Sequence, residues 1–417
     1  MQLRDYQEAI VSKALECLEN YKRPFVMNCF QASGKSIMIA ELVKRYGKPT
    51  LVLCMNKELV EQDAAKLRAI GVEASIYSAS CGHKDVGDIT VATIGSIYKK
   101  PEMFDRFGLV IIDECDQLPC NNADSMYMQL LSKIKPKVIG WTGTAFRAVN
   151  KTIPCGNYMT TQTIIRTLNR IPMKTEDGGG FFWGNIINGI TYKGLLDRGY
   201  VAPIKYYSTI TDTSMLVENS TGADYTDDSL REYGETNRLA IADCVESSFH
   251  KLAPKRVLVA VPNIEDAEWI AAELYHRGIK AAVLHSKMNK KERTKIIDNF
   301  RGGKVDCVVQ VMILNVGFDL PALDVVVFAR PSKSLRIWCQ TCARAIRLDP
   351  EDNDKQARIV DMVGMIEQFG RIEDVVITRE KGGFRSIVQG TGGVVLSDKV
   401  LGEAQVSRKP RITPHLY

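Results

Sequence analysis

The chain has 417 residues, 45% of them hydrophobic and 25% charged. That is the balance of a globular protein and too long for one ordinary core, so two domains are expected. No uninterrupted apolar run is long enough to cross a bilayer, and Met1-Gln2-Leu3-Arg4-Asp5 lacks the apolar stretch of a secretion signal. The net charge of +6 is compatible with a polyanionic partner without establishing one. The eleven cysteines are scattered through strand-like and helix-like segments, including Cys29, Cys54, Cys115, Cys244 and Cys307. This pattern suits reduced, buried thiols and a cytoplasmic location better than a disulfide framework.

Along the chain, short apolar runs alternate with amphipathic stretches. Pro24 to Cys29 predicts a buried strand and Lys35 to Tyr46 the helix after it. Pro49 to Met55 predicts a strand, followed by a helix from Lys57 to Ile70. Ile89 to Thr93, Leu109 to Asp113 and Lys137 to Thr142 predict three more strands. A less regular stretch runs from Phe146 to about Val201 and contains Gly178-Gly179-Gly180, read as a turn. Strands are expected again at Ile204 to Thr209, Val257 to Val261, Ala281 to Leu284, Cys307 to Val311 and Val325 to Phe328. Helices are expected at Leu239 to Leu252, Ile264 to Arg277 and Lys290 to Phe300. The polar, acidic segment Asp212 to Asn237 reads as a loop or small excursion. Ser407 to Tyr417, with two prolines and several basic residues, reads as a flexible tail. Strand–helix alternation of this kind argues for α/β architecture with parallel sheets, repeated twice.

Ala32-Ser33-Gly34-Lys35-Ser36 lies between a predicted buried strand and a predicted helix. That is the setting a phosphate-binding loop requires. Gly34 lets the backbone approach an anion, and the helix N-terminus points N–H groups at it. Lys35 can reach the β and γ phosphates, and the Ser36 hydroxyl can ligate Mg²⁺. Cys29 stands where the full G-x-x-x-x-G-K-[ST] pattern has its first glycine. Ile111-Ile112-Asp113-Glu114-Cys115-Asp116 supplies carboxylates at the end of a buried strand, a costly placement for a core. It is explained if Asp113 belongs to the Mg²⁺ shell and Glu114 activates the attacking water.

With these segments in order, the chain resembles superfamily 2 helicases from about residue 3 to about residue 375. Leu3-Arg4-Asp5-Tyr6-Gln7 is similar to the family's adenine-reading segment, with Gln7 as the contact. Asn56-Lys57-Glu58-Leu59-Val60-Glu61-Gln62 and Val91-Ala92-Thr93-Ile94-Gly95-Ser96 resemble motifs that touch the nucleic-acid backbone, implicating Lys57 and Thr93. Thr142-Gly143-Thr144-Ala145 resembles the motif that couples the nucleotide site to strand binding. Leu284-His285-Ser286 with Glu292-Arg293 resembles a strand-contact segment of the second domain. Asn315-Val316-Gly317-Phe318-Asp319-Leu320-Pro321 and Gln340-Thr341-Cys342-Ala343-Arg344-Ala345-Ile346-Arg347 resemble the last two motifs.

The resemblance implies two tandem RecA-like domains with parallel sheets and an ATP cleft between them. It places the first domain at 1–150, a connecting segment at 151–203, the second domain at 204–380, and an extension with a tail at 381–417. Gln340 would face the γ-phosphate, Arg344 and Arg347 would act as arginine fingers, and Asp319 would support them. An arginine pair three apart lies on one helix face, so both can enter one cleft. ATP and Mg²⁺ are the implied cofactors, and DNA (single-stranded, forked or four-way) is the implied partner, ahead of RNA; a monomer is expected.

Within the superfamily, the Tyr6-Gln7 start, Arg147 and Leu195 to Val201 lean toward fork-remodelling DNA enzymes. Examples are RadD-like helicases and the branch-migration helicase of phage T5. Ala32 and Ala343 stand where the family often has glycine, and the D-E-C-D box departs from D-E-A-H or D-E-C-H.

Three features remain outside these motifs. Cys339-Gln340-Thr341-Cys342 is a single CxxC, whereas a zinc ribbon needs two, so packed thiols are expected. Phe181-Phe182-Trp183 reads either as a packing plug between domains or as a stacking wedge with Phe182 against bases. Lys381, Arg385, Arg408, Lys409 and Arg411 read either as a junction contact or as a solvated tail.

Overall fold

A computed structural model describes residues 2–155, 158–173, 180–312, 320–381, 385–403 and 407–408. Two parallel sheets dominate it. The first runs in the order 185–188, 25–28, 137–142, 109–113, 50–54, 89–93, 75–78, 83–84, and only the last pairing is antiparallel. The second runs 204–208, 357–361, 325–328, 257–260, 307–311, 281–285, parallel throughout. Central strands such as Leu109–Asp113 and Val325–Phe328 are buried along their whole length. That is why they read as unbroken apolar runs: helices cover both faces of the sheet.

Helix starts follow local chemistry. Asn56 caps Lys57–Ala69, Asn263 caps Ile264–His276, Asn289 caps Lys290–Arg301 and Ser334 caps Leu335–Cys342, each through a side-chain oxygen accepting a backbone N–H. Lys35–Tyr46 ends at Gly47 in the left-handed region, with Lys44 and Arg45 in its last turn. No helix among the described residues is long and apolar enough to cross a membrane.

The structure departs from the sequence expectation in several places. The irregular stretch after Phe146 is a long antiparallel hairpin, Phe146–Cys155 paired with Tyr158–Thr167. Its second strand is rich in threonine, which favours strands without making an apolar run. Asn185–Asn188, inside the expected connector, is the edge strand of the first sheet. The polar excursion ends at Asp227, where a helix to Leu252 begins twelve residues earlier than expected. Thr226 caps it, and Asp227 and Asp228 sit in its first turn, where the helix dipole favours negative charge. Asp5–Asn20 forms a helix that the motif reading left aside.

At the C-terminal end, Val400–Glu403 and Ser407–Arg408 pair with Tyr158–Thr167, so the first two residues of the expected tail are held in a sheet. Lys409, Arg411 and the rest of 409–417 lie outside the described residues. So do Gly178, Gly179 and the segment 313–319, which includes Asp319.

Gly234 sits buried within the helix Asp227–Leu252, where an added Cβ would lie 1.5 Å from Asp266 Oδ2. Alanine in a helix interior ordinarily gains about 1 kcal/mol over glycine. Gly234→Ala is instead expected to destabilise by about 1–3 kcal/mol through overpacking. A urea midpoint that moves upward would contradict this packing.

Candidate nucleotide site and nucleic-acid rim

Strand Phe25–Asn28 delivers the chain to the phosphate loop, and the helix Lys35–Tyr46 leaves it. Gly34 has φ +81°, and a Cβ there would meet Gln7 Nε2 at 2.6 Å, so the position requires glycine. Ala32 also has a positive φ, 64°. This is the physical reason glycine suits its place in the related motif. The loop is braced from behind. Tyr6 Oη donates to the Ser33 carbonyl at 2.8 Å and Gln7 Nε2 donates to the same oxygen at 3.0 Å. Gln7 Oε1 accepts from the Arg4 backbone N–H. Gln7 is therefore buried against the loop and does not line the cavity; Arg4 and Tyr200 do. The Arg4 guanidinium lies 3.8 Å from the Tyr200 ring centroid, a flat wall suited to a base. Tyr200 was not singled out from the sequence, because it becomes part of the site only through the Tyr6–Tyr200 ring contact.

Strand Leu109–Asp113 ends in the cleft. Glu114 adopts φ +48°, a conformation unfavourable for a non-glycine residue and frequent at functional sites. Its Oε1 accepts from Lys35 Nζ at 3.2 Å. Burial opposes the Lys35 charge, but Glu114 and Asp113 outweigh it and raise the lysine pKa. Burial pushes the Asp113 carboxyl well above the usual range, and the charges of Asp63 and Glu114 push the same way. Asp113 Oδ1 is buried with no hydrogen-bond partner. A buried carboxylate oxygen without a partner, beside Ser36 in one cavity, fits a hard divalent cation. Mg²⁺ held there would neutralise phosphate charge.

The fourth residue of the box is equally committed. Asp116 accepts from Thr142 Oγ1 at 2.8 Å and from Thr144 Oγ1 at 3.1 Å. Burial, then Glu114, push its pKa up to about 6, against Arg336 and the two threonines. Arg336 comes from the second domain: its Nε lies 3.8 Å from Asp116 Oδ2 and its Nη1 3.5 Å from Gln340 Oε1. The sequence reading missed Arg336. Its available signal was position, one helical turn before Gln340.

Residues of both domains line one cavity of about 580 Å³: Lys35, Ser36, Asp113 and Glu114 from the first, Gln340, Arg344 and Arg347 from the second. The arginines were expected on one helix face, but the helix Leu335–Cys342 ends before them. Arg344 N–H donates to Thr341 O and Ala345 N–H to Cys342 O. Both arginines nevertheless line the cavity. Lys355, buried, donates to the carbonyls of Pro321 and Arg347 at 2.5 and 2.6 Å and fixes the end of this segment. Burial draws the Lys355 pKa down to about 8. Cys339 and Cys342 are buried free thiols.

Lys57 opens a helix after strand Thr50–Cys54, and Thr93 ends strand Ile89–Thr93. Thr93 Oγ1 is 2.9 Å from Ser96 Oγ. His285 ends strand Ala281–His285 with Nδ1 buried and unpartnered, and Ser286 beside it is exposed. All four therefore follow the C-terminal ends of strands, the edges at which open α/β sheets bind ligands.

Phe182 does not. It precedes Asn185–Asn188, which runs parallel to Phe25–Asn28, so it sits at the opposite end of the sheet. There Gly184 N–H donates to Pro24 O. Trp183 is 1% exposed and packs over Gly140 and Cys115, within the first domain rather than between domains. Of the two readings of this cluster, packing fits this position better than a wedge, and the packing lies within the first domain.

Residues 1–147 match the family model described as type III restriction enzyme, res subunit, and residues 240–349 match that described as helicase conserved C-terminal domain. A 51.5 kDa protein of Lactococcus phage (isolate 7-9) is 24% identical over 336 residues, 79% of this chain and 64% of that protein. A fragment assigned as an HsdR subunit of a type I restriction enzyme from Vibrio vulnificus YJ016 has TM-score 0.62 at 17% identity, covering 88% of this chain and 65% of that one. The ATP-dependent type ISP restriction-modification enzyme LlaBIII, bound to DNA, has TM-score 0.58 at 14% identity, covering 87% of this chain and 28% of that one. The chain thus spans less than two thirds of each of these proteins. Fold, motif order and both matched models agree on a two-domain RecA-like ATPase. The chain belongs to superfamily 2 of the helicases.

Phe182→Ala is expected to lower stability by about 1–3 kcal/mol, the cost of truncating a half-buried aromatic, and to leave single-stranded DNA affinity within about twofold. Fluorescence anisotropy with a labelled oligonucleotide checks this; a tenfold loss of affinity would place Phe182 on the nucleic-acid path.

Proposed function

We propose that the chain hydrolyses ATP to drive stepwise movement on DNA and acts on forked or branched DNA in replication, recombination or repair. One observation carries this reading: the cavity that holds Lys35, Ser36, Asp113 and Glu114 is lined on its other side by Gln340, Arg344 and Arg347. A site divided between two domains is complete only when they close, so turnover is tied to domain motion.

Lys35 and Ser36 take the phosphates and the metal, and Asp113 completes the metal shell. Lys35 holds Glu114 in an ion pair. A γ-phosphate that draws Lys35 away leaves Glu114 to accept the proton of the attacking water. The new bond forms at the γ-phosphorus as the bond to the β-γ bridging oxygen breaks. Gln340 positions the water, and the two arginines stabilise the charge that develops. A nucleotide-gated clamp needs neither a water-activating carboxylate nor fingers, which argues against that alternative.

The similarity to restriction-enzyme subunits supports a second reading, translocation on duplex DNA without strand separation. The preference for forks rests on Tyr6-Gln7, Arg147 and Leu195 to Val201.

Steady-state ATPase with no nucleic acid, single-stranded DNA, duplex, a four-way junction and RNA separates these readings. Strongest stimulation by branched DNA is expected. Duplex as the best activator would favour the translocase, and RNA at least as good as DNA would overturn the DNA assignment. Glu114→Gln should reduce turnover about 10²–10⁴-fold while ATP binding persists; unchanged turnover would refute Glu114 as the base.

A further inference from the structure

Arg4 and Tyr200 share one wall of the nucleotide cavity, and local structure fixes each of them. Tyr200 follows the helix Tyr192–Leu196, which ends in a turn through Gly199 at φ +66°. There the Gly199 N–H donates to Leu196 O and the Tyr200 N–H to Leu195 O. Arg4 immediately precedes the helix Asp5–Asn20, and its guanidinium carbon lies over the Tyr200 ring, 3.8 Å from the centroid. Asp5 and Arg198 pair alongside at 3.3 Å. A guanidinium backed by a ring is a surface on which a base can stack, but stacking hardly distinguishes bases, because every base has a π face.

Discrimination needs donors and acceptors turned toward the base edge. The residue that the sequence offers for that task is Gln7, and its amide is occupied elsewhere. Nε2 donates to Ser33 O at 3.0 Å, and Oε1 accepts from the Arg4 backbone N–H at 3.1 Å. A Cβ added at Gly34 would lie 2.6 Å from Gln7 Nε2, so the amide is wedged behind the phosphate loop. Gln7 is 4% exposed and does not line the cavity. Turning the amide toward a base would give up both bonds. We propose that the cleft selects nucleotides by their triphosphate and not by their base, so that GTP is a substrate alongside ATP. Arg4, backed by Tyr200, is the stacking surface, and Gln7 is a positioning residue for the phosphate loop. This rests on reading the cleft as the site of nucleotide hydrolysis.

The test compares kcat/KM for ATP and GTP on the full chain, with and without DNA. The two values should agree within about tenfold, whereas a site built to hydrogen-bond its substrate's edge can reject an analogue by about 10⁴-fold. Arg4→Ala should raise KM for both nucleotides by about tenfold with kcat little changed, as expected for lost uniform binding. Arg4→Lys should not restore KM, because an ammonium has no plane to stack on. Gln7→Ala should slow ATP and GTP hydrolysis by the same factor; if that variant does not fold, the wild-type ratio decides alone. A preference for ATP above about tenfold, an unchanged KM in Arg4→Ala, or a loss in Gln7→Ala confined to ATP would overturn the proposal. Hydrolysis of neither nucleotide by the wild-type chain would instead overturn the reading of the cleft.

Discussion

Lys35 and Glu114 face each other 3.2 Å apart at the floor of a cleft, with Asp113, Asp63 and Asp116 buried around them. Three buried carboxyls around one ion pair are hard to keep charged: burial raises the pKa of all three. The fold tolerates the arrangement because parallel strands Phe25–Asn28 and Leu109–Asp113 end side by side, on either side of Lys137–Thr142. Everything that follows those strand ends faces one rim. The excess of carboxyls over cations at this rim is what a divalent cation would offset.

From that floor the influence passes outward through short polar links. Asp116 holds Thr142 and Thr144, and Arg336 stands between Asp116 and Gln340. Thr142 Oγ1 also lies 3.5 Å from Glu114 Oε2, so the ion pair at the floor is linked through Asp116 to the second domain. Other contacts hold the two halves in register without closing the cleft. Ala202 N–H donates to Ile346 O, Thr163 Oγ1 donates to Thr221 O, and the hairpin that follows the first domain accepts strand Val400–Glu403.

The strands and helices of both sheets were legible because burial on both faces produces unbroken apolar runs, and Asn or Ser caps mark the helix starts. The catalytic floor was legible for a related reason: Gly34, Lys35, Asp113 and Glu114 are residues that a core would reject at strand ends. What stayed hidden depends on contacts across the chain. Asp63 looks like any acidic residue on an amphipathic helix until the fold buries it against Cys54. Arg336 and Tyr200 acquire meaning only when the domains meet. The hairpin after Phe146 carries threonines where an apolar pattern was sought, and sequence does not say which end of the sheet Phe182 occupies.

The central claim is that the second domain completes the ATPase site. The most direct test is Arg347→Ala, with single-turnover hydrolysis and nucleotide affinity measured on the same preparation. The account predicts a loss of roughly 10³-fold or more in the hydrolysis rate, as for other fingers supplied across an interface, with nucleotide affinity changed only a few-fold. A rate within a few-fold of wild type would mean that the first domain hydrolyses ATP alone, and would contradict the account.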